Sequence, residues 1–316
     1  MRRFILFLLF FYFSFAGNFG FTLSGGFLYG NYTQFNYLVD YENSWLKFYN
    51  EDWGNFLKQQ GFLKDFGYSS GELNRLNSSL PLKLRFYYKN GKSTFSIEGT
   101  YLTASAVSNT EFFYDFTFMD GTSATQKFSF YPFELKPEMF SAGIGLSRQL
   151  LKYKKFCPQL EASAGFIYLN FLYENNLQVL NTIGSHWLKL SYETIMEGKG
   201  KGFYGYGGLK IPVLQRGRFS LSLTPGYFYS KILSIRGSTT YKYSISDSYG
   251  YTTSYSDSWD GEWFIKEITV KEWWGTYTFR FPSNNKSDLG SYIKNAGRFS
   301  PSISGPFLLI SVGIDL

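Results

Sequence analysis

Apolar residues recur at every second position over long stretches of this chain, which is the period of an extended strand with two different faces. The clearest unit runs from Pro81 to Tyr101. Leu82, Leu84, Phe86 and Tyr88 share one face, and Lys83, Arg85 and Tyr87 share the other. Asn90-Gly91 follows, a pair suited to a type I′ turn because both centres need positive φ. Beyond it Phe95, Ile97, Gly99 and Tyr101 alternate with Ser96, Glu98 and Thr100. A turn centred on Asn90-Gly91 pairs Phe86 with Phe95, Leu84 with Ile97 and Lys83 with Glu98, so both faces agree in one register.

The same reading predicts two more hairpins. In one, Phe140, Ala142, Ile144 and Leu146 lead through a basic turn (Lys152, Lys154, Lys155) to Leu160, Ala162, Ala164, Phe166 and Tyr168. In the other, Leu209, Ile211 and Val213 lead through a three-residue turn, Arg216-Gly217-Arg218, to Phe219, Leu221 and Leu223. Single strands flank the set. Phe19, Phe21, Leu23, Phe27 and Tyr29 form the first, and Leu308, Ile310, Val312, Ile314 and Leu316 the last. Eight strands result, and pairing of the two terminal ones closes a cylinder. Three connections are short and lie on one side. The segments 31–80, 102–138, 174–202 and 235–306 are long and lie on the other. Within them, 45–66 has a loosely helical spacing, expected as a short helix over the mouth. Phe112–Phe118 and Phe128–Leu135 read as strand extensions. The stretch from Tyr241 to Phe281 is open to two readings, as projecting hairpins or as further wall in a ring of ten or twelve strands.

Composition changes the picture in one respect. Hydrophobic residues make up 44% of the chain and aromatics 22%, yet the mean hydropathy is −0.19. A water-soluble core draws more on Leu, Val and Ala. An aromatic-rich chain with alternating faces suits a transmembrane barrel, apolar outside and polar inside. The N-terminus agrees. Met1-Arg2-Arg3, the apolar run Phe4–Phe13 and Ser14-Phe15-Ala16 read as a cleaved signal peptide over residues 1–16, leaving 17–316 as the barrel. The single Cys157 excludes an internal disulfide framework. The net charge of +7 comes from scattered Lys and Arg, which favours lipopolysaccharide phosphates over nucleic acid as the anionic neighbour.

On the signal peptide, the hairpin alternation and the C-terminal strand Leu308–Leu316, the chain resembles small Gram-negative outer-membrane barrels of the OmpA/OmpX type. The resemblance implies an all-β, antiparallel up-and-down barrel in the outer membrane, inserted by the barrel-assembly machinery and holding a filled lumen. Such families usually end in an aromatic residue, whereas this chain ends in Leu316.

Candidate chemistry is sparse. Lys83, Arg85, Glu98, Glu161, Lys210 and Asp315 fall on lumen-facing positions, either as a structural plug or as a gate. Tyr241, Tyr243, Tyr249, Tyr251, Tyr255, Trp259 and Trp263, with Trp273 and Trp274, offer rigid amphipathic area to an extracellular glycan or protein, or serve cross-strand packing. His186, with Ser191 and Glu193, lacks any motif for a hydrolase triad. Asp247, Asp257 and Asp260 lack the spacing of a calcium loop. No catalytic, metal or cofactor site is expected. The expectation is a non-enzymatic barrel for envelope integrity, adhesion or surface recognition. The alternatives are a porin-like channel for small or apolar solutes and a lipid-directed hydrolase.

Overall fold

The computed structural model describes residues 19–69, 71–151, 157–272, 275–284 and 293–316. The expected signal peptide, the turn lysines 152, 154 and 155, and Trp273 and Trp274 lie outside these residues. The chain is all-β and antiparallel, with one helical excursion. Its elements in order are β1 (Phe19–Tyr29), α1 (Thr33–Leu46), a π-helical turn (Lys47–Asp52) and α2 (Trp53–Gln59). Then come β2 (Leu63–Tyr68), β3 (Ser78–Asn90), β4 (Ser93–Thr103), β5 (Ala106–Phe118), β6 (Ser123–Gln149) and β7 (Gln159–Ile183). After them follow β8 (His186–Arg216), β9 (Phe219–Asp247), β10 (Thr252–Glu262), β11 (Phe264–Glu272), β12 (Gly275–Ser283), β13 (Ile293–Arg298) and β14 (Ser302–Asp315).

Eight of these form a ring in the order β1-β3-β4-β6-β7-β8-β9-β14, and β14 returns to β1. The ring strands are those expected from the alternation, and the terminal pair does close it, with Leu23 opposite Val312 and Phe27 opposite Leu308. Two turns differ from expectation. Asn90 pairs with Ser93, so the first turn is centred on Gly91-Lys92 and Arg85, not Lys83, lies opposite Glu98. Gly91 takes the positive φ of 60° that a primed hairpin turn requires. The pairing moves by two residues, an even shift, so every side chain keeps its face. Likewise Arg216 pairs with Phe219, leaving Gly217-Arg218 as a two-residue turn.

The long connections are mostly strand. β6 to β9 run on past the ring, with 27, 25, 31 and 29 residues. Above the ring β5 replaces β4 on the edge of β6, with β2 beyond it, and β10 replaces β14 on the edge of β9. The ring therefore opens into a broad curved sheet. The stretch from Tyr241 to Phe281 adds no wall to the ring: part of it extends β9 and forms β10, and part joins β13 in a separate three-stranded sheet.

Polarity reverses along single strands. In the ring part of β6, Phe140, Ile144 and Leu146 point outward and are exposed; farther along, Phe133, Leu135 and Met139 point inward and are buried. β7 does the same, with Phe166 outward and Leu169, Phe171 and Tyr173 inward. The ring is thus apolar outside and polar inside, and the extension has an apolar inner face.

α1 and α2 cover that inner face. They begin earlier than the helical spacing suggested, while Leu63 and Phe66 lie in β2. Phe35 is fully buried and packs on Phe171 of β7 and on Phe299, at centroid separations of 5.5 and 5.9 Å. On the other side Trp45 stacks on Phe279 of β12 at 4.9 Å, and Phe48 meets Tyr277 at 4.1 Å. Asn36 and Asn43, two helical turns apart and so on one face, bind an extended segment as a ladder would. Each accepts from and donates to one backbone unit, Leu76 for Asn36 and Leu73 for Asn43. Truncating Phe35→Ala removes an aromatic ring that touches both walls and leaves a cavity. It is expected to lower the unfolding free energy by about 3–5 kcal/mol, measured by denaturant titration of the refolded protein.

Candidate functional site

Alternation turns Lys83 and Arg85 of β3, Glu98 of β4 and Glu161 of β7 into the ring, where all four are buried. The two carboxylates and two cations interlock. Glu98 Oε2 lies 2.8 Å from Lys83 Nζ and 3.2 Å from Arg85 Nε, while Arg85 Nη1 reaches Glu161 Oε2 at 2.7 Å. Arg85 thus spans the interior from β3 to β7. Phenols complete the cluster. Tyr204 donates to Glu98 Oε1 at 3.2 Å, and Tyr206 lies within reach of both carboxylates, at 3.3 Å from Glu98 and 3.5 Å from Glu161. Tyr206 also meets Lys83 and Arg85, and Ser163 donates to Glu98.

Burying ions is costly unless each has close partners and its remaining donors and acceptors are satisfied. Here one carboxylate, Glu98, answers five side chains. Room for it comes from Gly145, where an added Cβ would stand 2.6 Å from Ser96 Oγ and 3.2 Å from Glu98 Oε2. Glu98→Gln keeps the shape and removes the charge shared by Lys83 and Arg85. The expected loss is about 3–5 kcal/mol of stability, and a variant as stable as wild type in guanidinium would show that the cluster carries no net charge compensation.

The six sequence candidates divide. Lys83, Arg85, Glu98 and Glu161 form the cluster. Lys210 is half-buried on the same interior face and is attracted to Glu161 and Asp315. Asp315 belongs to the rim: both its oxygens lie 2.6 Å from Lys89 Nζ, and Tyr87 donates to it. Sequence reasoning missed Lys89, Ser163, Tyr204 and Tyr206. A signal was present, since Tyr204 and Tyr206 alternate with glycines in β8 and have the same parity as Lys210.

The aromatic candidates also divide. Tyr249 and Tyr251, at the β9–β10 turn, are 77% and 56% exposed, and Tyr255 is exposed beside them. Tyr241, Tyr243 and Trp259 are half-buried. Tyr243 pairs with Tyr192 and Tyr255, and Trp259 with Thr239, on the inner face of the sheet. Trp263 is a correction. It is fully buried, stacked on Phe299 and edge-on to Phe171, so it belongs to the core and offers no surface.

His186 sits exposed at the β7–β8 turn, stacked on Tyr249 with centroids 5.0 Å apart. Ser191 lies five residues along β8, roughly 17 Å away by strand rise, and Glu193 pairs with Lys242 at 2.8 Å. The three do not converge. Asp247 accepts from the backbone N–H groups of Tyr249 and Tyr251 and so shapes the β9–β10 turn, while Asp257 accepts from the Tyr255 hydroxyl and the Ser258 N–H within β10. Among the described residues no three His, Cys, Asp or Glu side chains cluster as a metal site would need.

Between α1–α2 and the extended sheet lie two cavities of about 480 and 560 Å³. Glu42 of α1 lines the first and accepts hydrogen bonds from Tyr173 and from Asn175, at 3.3 and 2.8 Å. Burial pushes its carboxyl from 4.5 up to about 7, against the lowering effect of those two bonds. The folded chain therefore holds a proton that the unfolded chain releases near 4.5. Stability is lost as pH rises between those two values and levels off above the higher one, by up to about 3 kcal/mol. Glu42→Gln is expected to flatten this slope. Denaturation midpoints should coincide for variant and wild type near about pH 4 and favour the variant near about pH 8.

No protein-family model matches the chain, and no curated protein matches it significantly.

Proposed function

We propose that the chain is a non-enzymatic outer-membrane β-barrel, closed by its own interior, that holds an aromatic sheet beyond the membrane for adhesion or surface recognition. The observation that carries this reading is the inverted polarity of the ring. Leu82, Phe86, Ile97, Ile144, Phe166 and Ile310 are all exposed on its outside, while the ion cluster fills its inside. A continuous apolar surface of that extent is unfavourable in water and favourable in hydrocarbon. The exposed run from Leu80 to Tyr88 measures roughly 27 Å along β3, about 21 Å of height once strand tilt is allowed for, the scale of the ~25 Å apolar band of such barrels.

The change of polarity in β6 to β9 then marks the membrane surface. Outward-facing Lys136, Glu138, Lys199 and Arg236 line a depression of about 550 Å³ just above the apolar band, where headgroups and lipopolysaccharide would lie. An eight-stranded interior is just wide enough for side chains, and Lys83, Arg85, Glu98, Glu161, Tyr204 and Tyr206 occupy it, which favours a plug over a pore. The exposed Tyr249, Tyr251 and Tyr255 supply rigid contact area for a glycan or a protein. Insertion would be by the barrel-assembly machinery.

The test is reconstitution into lipopolysaccharide-containing liposomes and planar bilayers. Folded protein should migrate differently from boiled protein on a gel, proteinase should strip the extension and spare the ring strands, and no stepwise conductance should appear. Stable unitary currents would overturn the plug, and a ring digested as readily as the extension would overturn the membrane reading. Cells displaying a Tyr249→Ala, Tyr251→Ala, Tyr255→Ala triple variant should adhere less than cells displaying wild type.

A further inference from the structure

Glu42 is the charged side chain that lines the first cavity, the space of about 480 Å³ between α1–α2 and the extended sheet. Its hydrogen bonds from Tyr173 and Asn175 both go to Oε1. Oε2 has no hydrogen-bond or ion-pair partner among the described residues, yet it is not sealed off and keeps accessible surface. Protein packs around the side chain on every side, so the surface that remains faces the cavity that Glu42 lines. One oxygen is held by the sheet and the other is presented to the space beneath the helices.

The fold does not require that charge. A glutamine carbonyl would accept the same two bonds, and the carboxyl, pushed up to about 7 by burial, weakens the folded state above that pH. A group that costs stability and is aimed into a cavity of small-molecule size marks a binding site. The other walls decide what kind. Trp45, Trp53 and Phe128 are half-buried around the cavity. Asn50 and Gln126 are its other polar residues, and no Lys or Arg lines it. A metal ion of the calcium type would need about six or more oxygen ligands, and an anion would meet like charge. An organic cation meets the carboxylate on one side and the negative faces of aromatic rings on the others.

We propose that this cavity binds an organic ammonium ion with apolar substituents, its charge against Glu42 Oε2 and its substituents against Trp45, Trp53 and Phe128. The second cavity shares Trp53 and Gln126 with the first and reaches the exposed Tyr249, which gives the ligand a route. That route carries Asp247 and His186 and no Lys or Arg. Tyr173 is the titratable group that contacts Glu42, and from α1, the π-helical turn, α2, β6 and β7 no other charged side chain lines the cavity. The site lies on the extension beyond the ring, so it goes beyond the membrane reading and does not depend on it.

The probe is benzyltrimethylammonium, whose charge does not change with pH, titrated calorimetrically into the full chain in non-ionic detergent. Saturable binding is expected, with an affinity that rises at least about ten-fold between about pH 5.5 and about pH 8 as Glu42 ionises. Neutral benzyl alcohol should bind at least about ten-fold more weakly at the higher pH, and phenylacetate should not bind. Glu42→Gln should weaken the cation at least about ten-fold and abolish the pH dependence, with a denaturation midpoint no lower than that of wild type. Trp53→Leu should weaken it about five-fold through the lost ring. Leu177→Trp fills the cavity and leaves the carboxylate in place, so it should abolish binding whether or not Glu42→Gln folds well. Heats that never saturate, equal affinities for the cation and the alcohol, or an affinity left unchanged by Glu42→Gln or by Leu177→Trp would overturn the proposal and leave Glu42 as a structural tie between α1 and β7.

Discussion

Hydrogen bonding between β1 and β14 is the constraint on which the rest of the molecule depends. An open sheet presents a row of unpaired amides and carbonyls at each edge. Pairing Phe21 with Ile314 through Leu28 with Phe307 removes both edges of the ring at once. A closed ring has an inside too narrow for solvent-like freedom, so whatever alternation turns inward must pack and must be satisfied. Small residues such as Gly143, Gly145 and Ser163 leave space, and Arg85, Lys83, Tyr204 and Tyr206 fill it. Charge is tolerated there because the acids and bases are interlocked.

The second organising fact is that four strands change the sense of their alternation without ending. Below Met139 in the ring the outer face is apolar; from Met139 toward Phe128 the inner face is. One continuous hydrogen-bond ladder therefore serves two environments. Residues at the join are alike across the strands and change from one row to the next: Phe140 lies across from Tyr168, and in the next row Glu138 lies across from Asn170, which faces Lys199. In the proposed setting this row is where hydrocarbon gives way to headgroups.

This reversal also explains what was legible in the sequence. The eight ring strands and the pairing of the termini are legible because period-two patterning is strict where one face is apolar and the other lines a packed polar interior. The extensions were harder. At Met139–Phe140 two apolar residues stand side by side, which breaks the period and looks like the end of a strand, although the backbone continues. The register of the first hairpin differs by two residues from the one Asn90-Gly91 suggests, and parity alone cannot distinguish registers that differ by an even number. Of the ion cluster, the charged members were readable from their inward parity. The phenols carry no charge to mark them among the inward positions, so Tyr204 and Tyr206 do not stand out in the sequence. Trp263 ends a run of aromatics that alternation alone does not sort, and only packing against Phe171 and Phe299 shows it to be core.

The position of α1 in the chain has a consequence for assembly. It follows β1 directly, yet it packs on Phe171 of β7, on Phe299 just before β14, and on β12. These neighbours all follow the helix in the chain. The helix can therefore dock only once β7, β12 and the segment before β14 are in place to receive it. A chain cut short before Phe299 would lose part of the helix's seat together with the β1–β14 seam, whereas one cut between Phe299 and β14 would keep the seat and lose the seam alone.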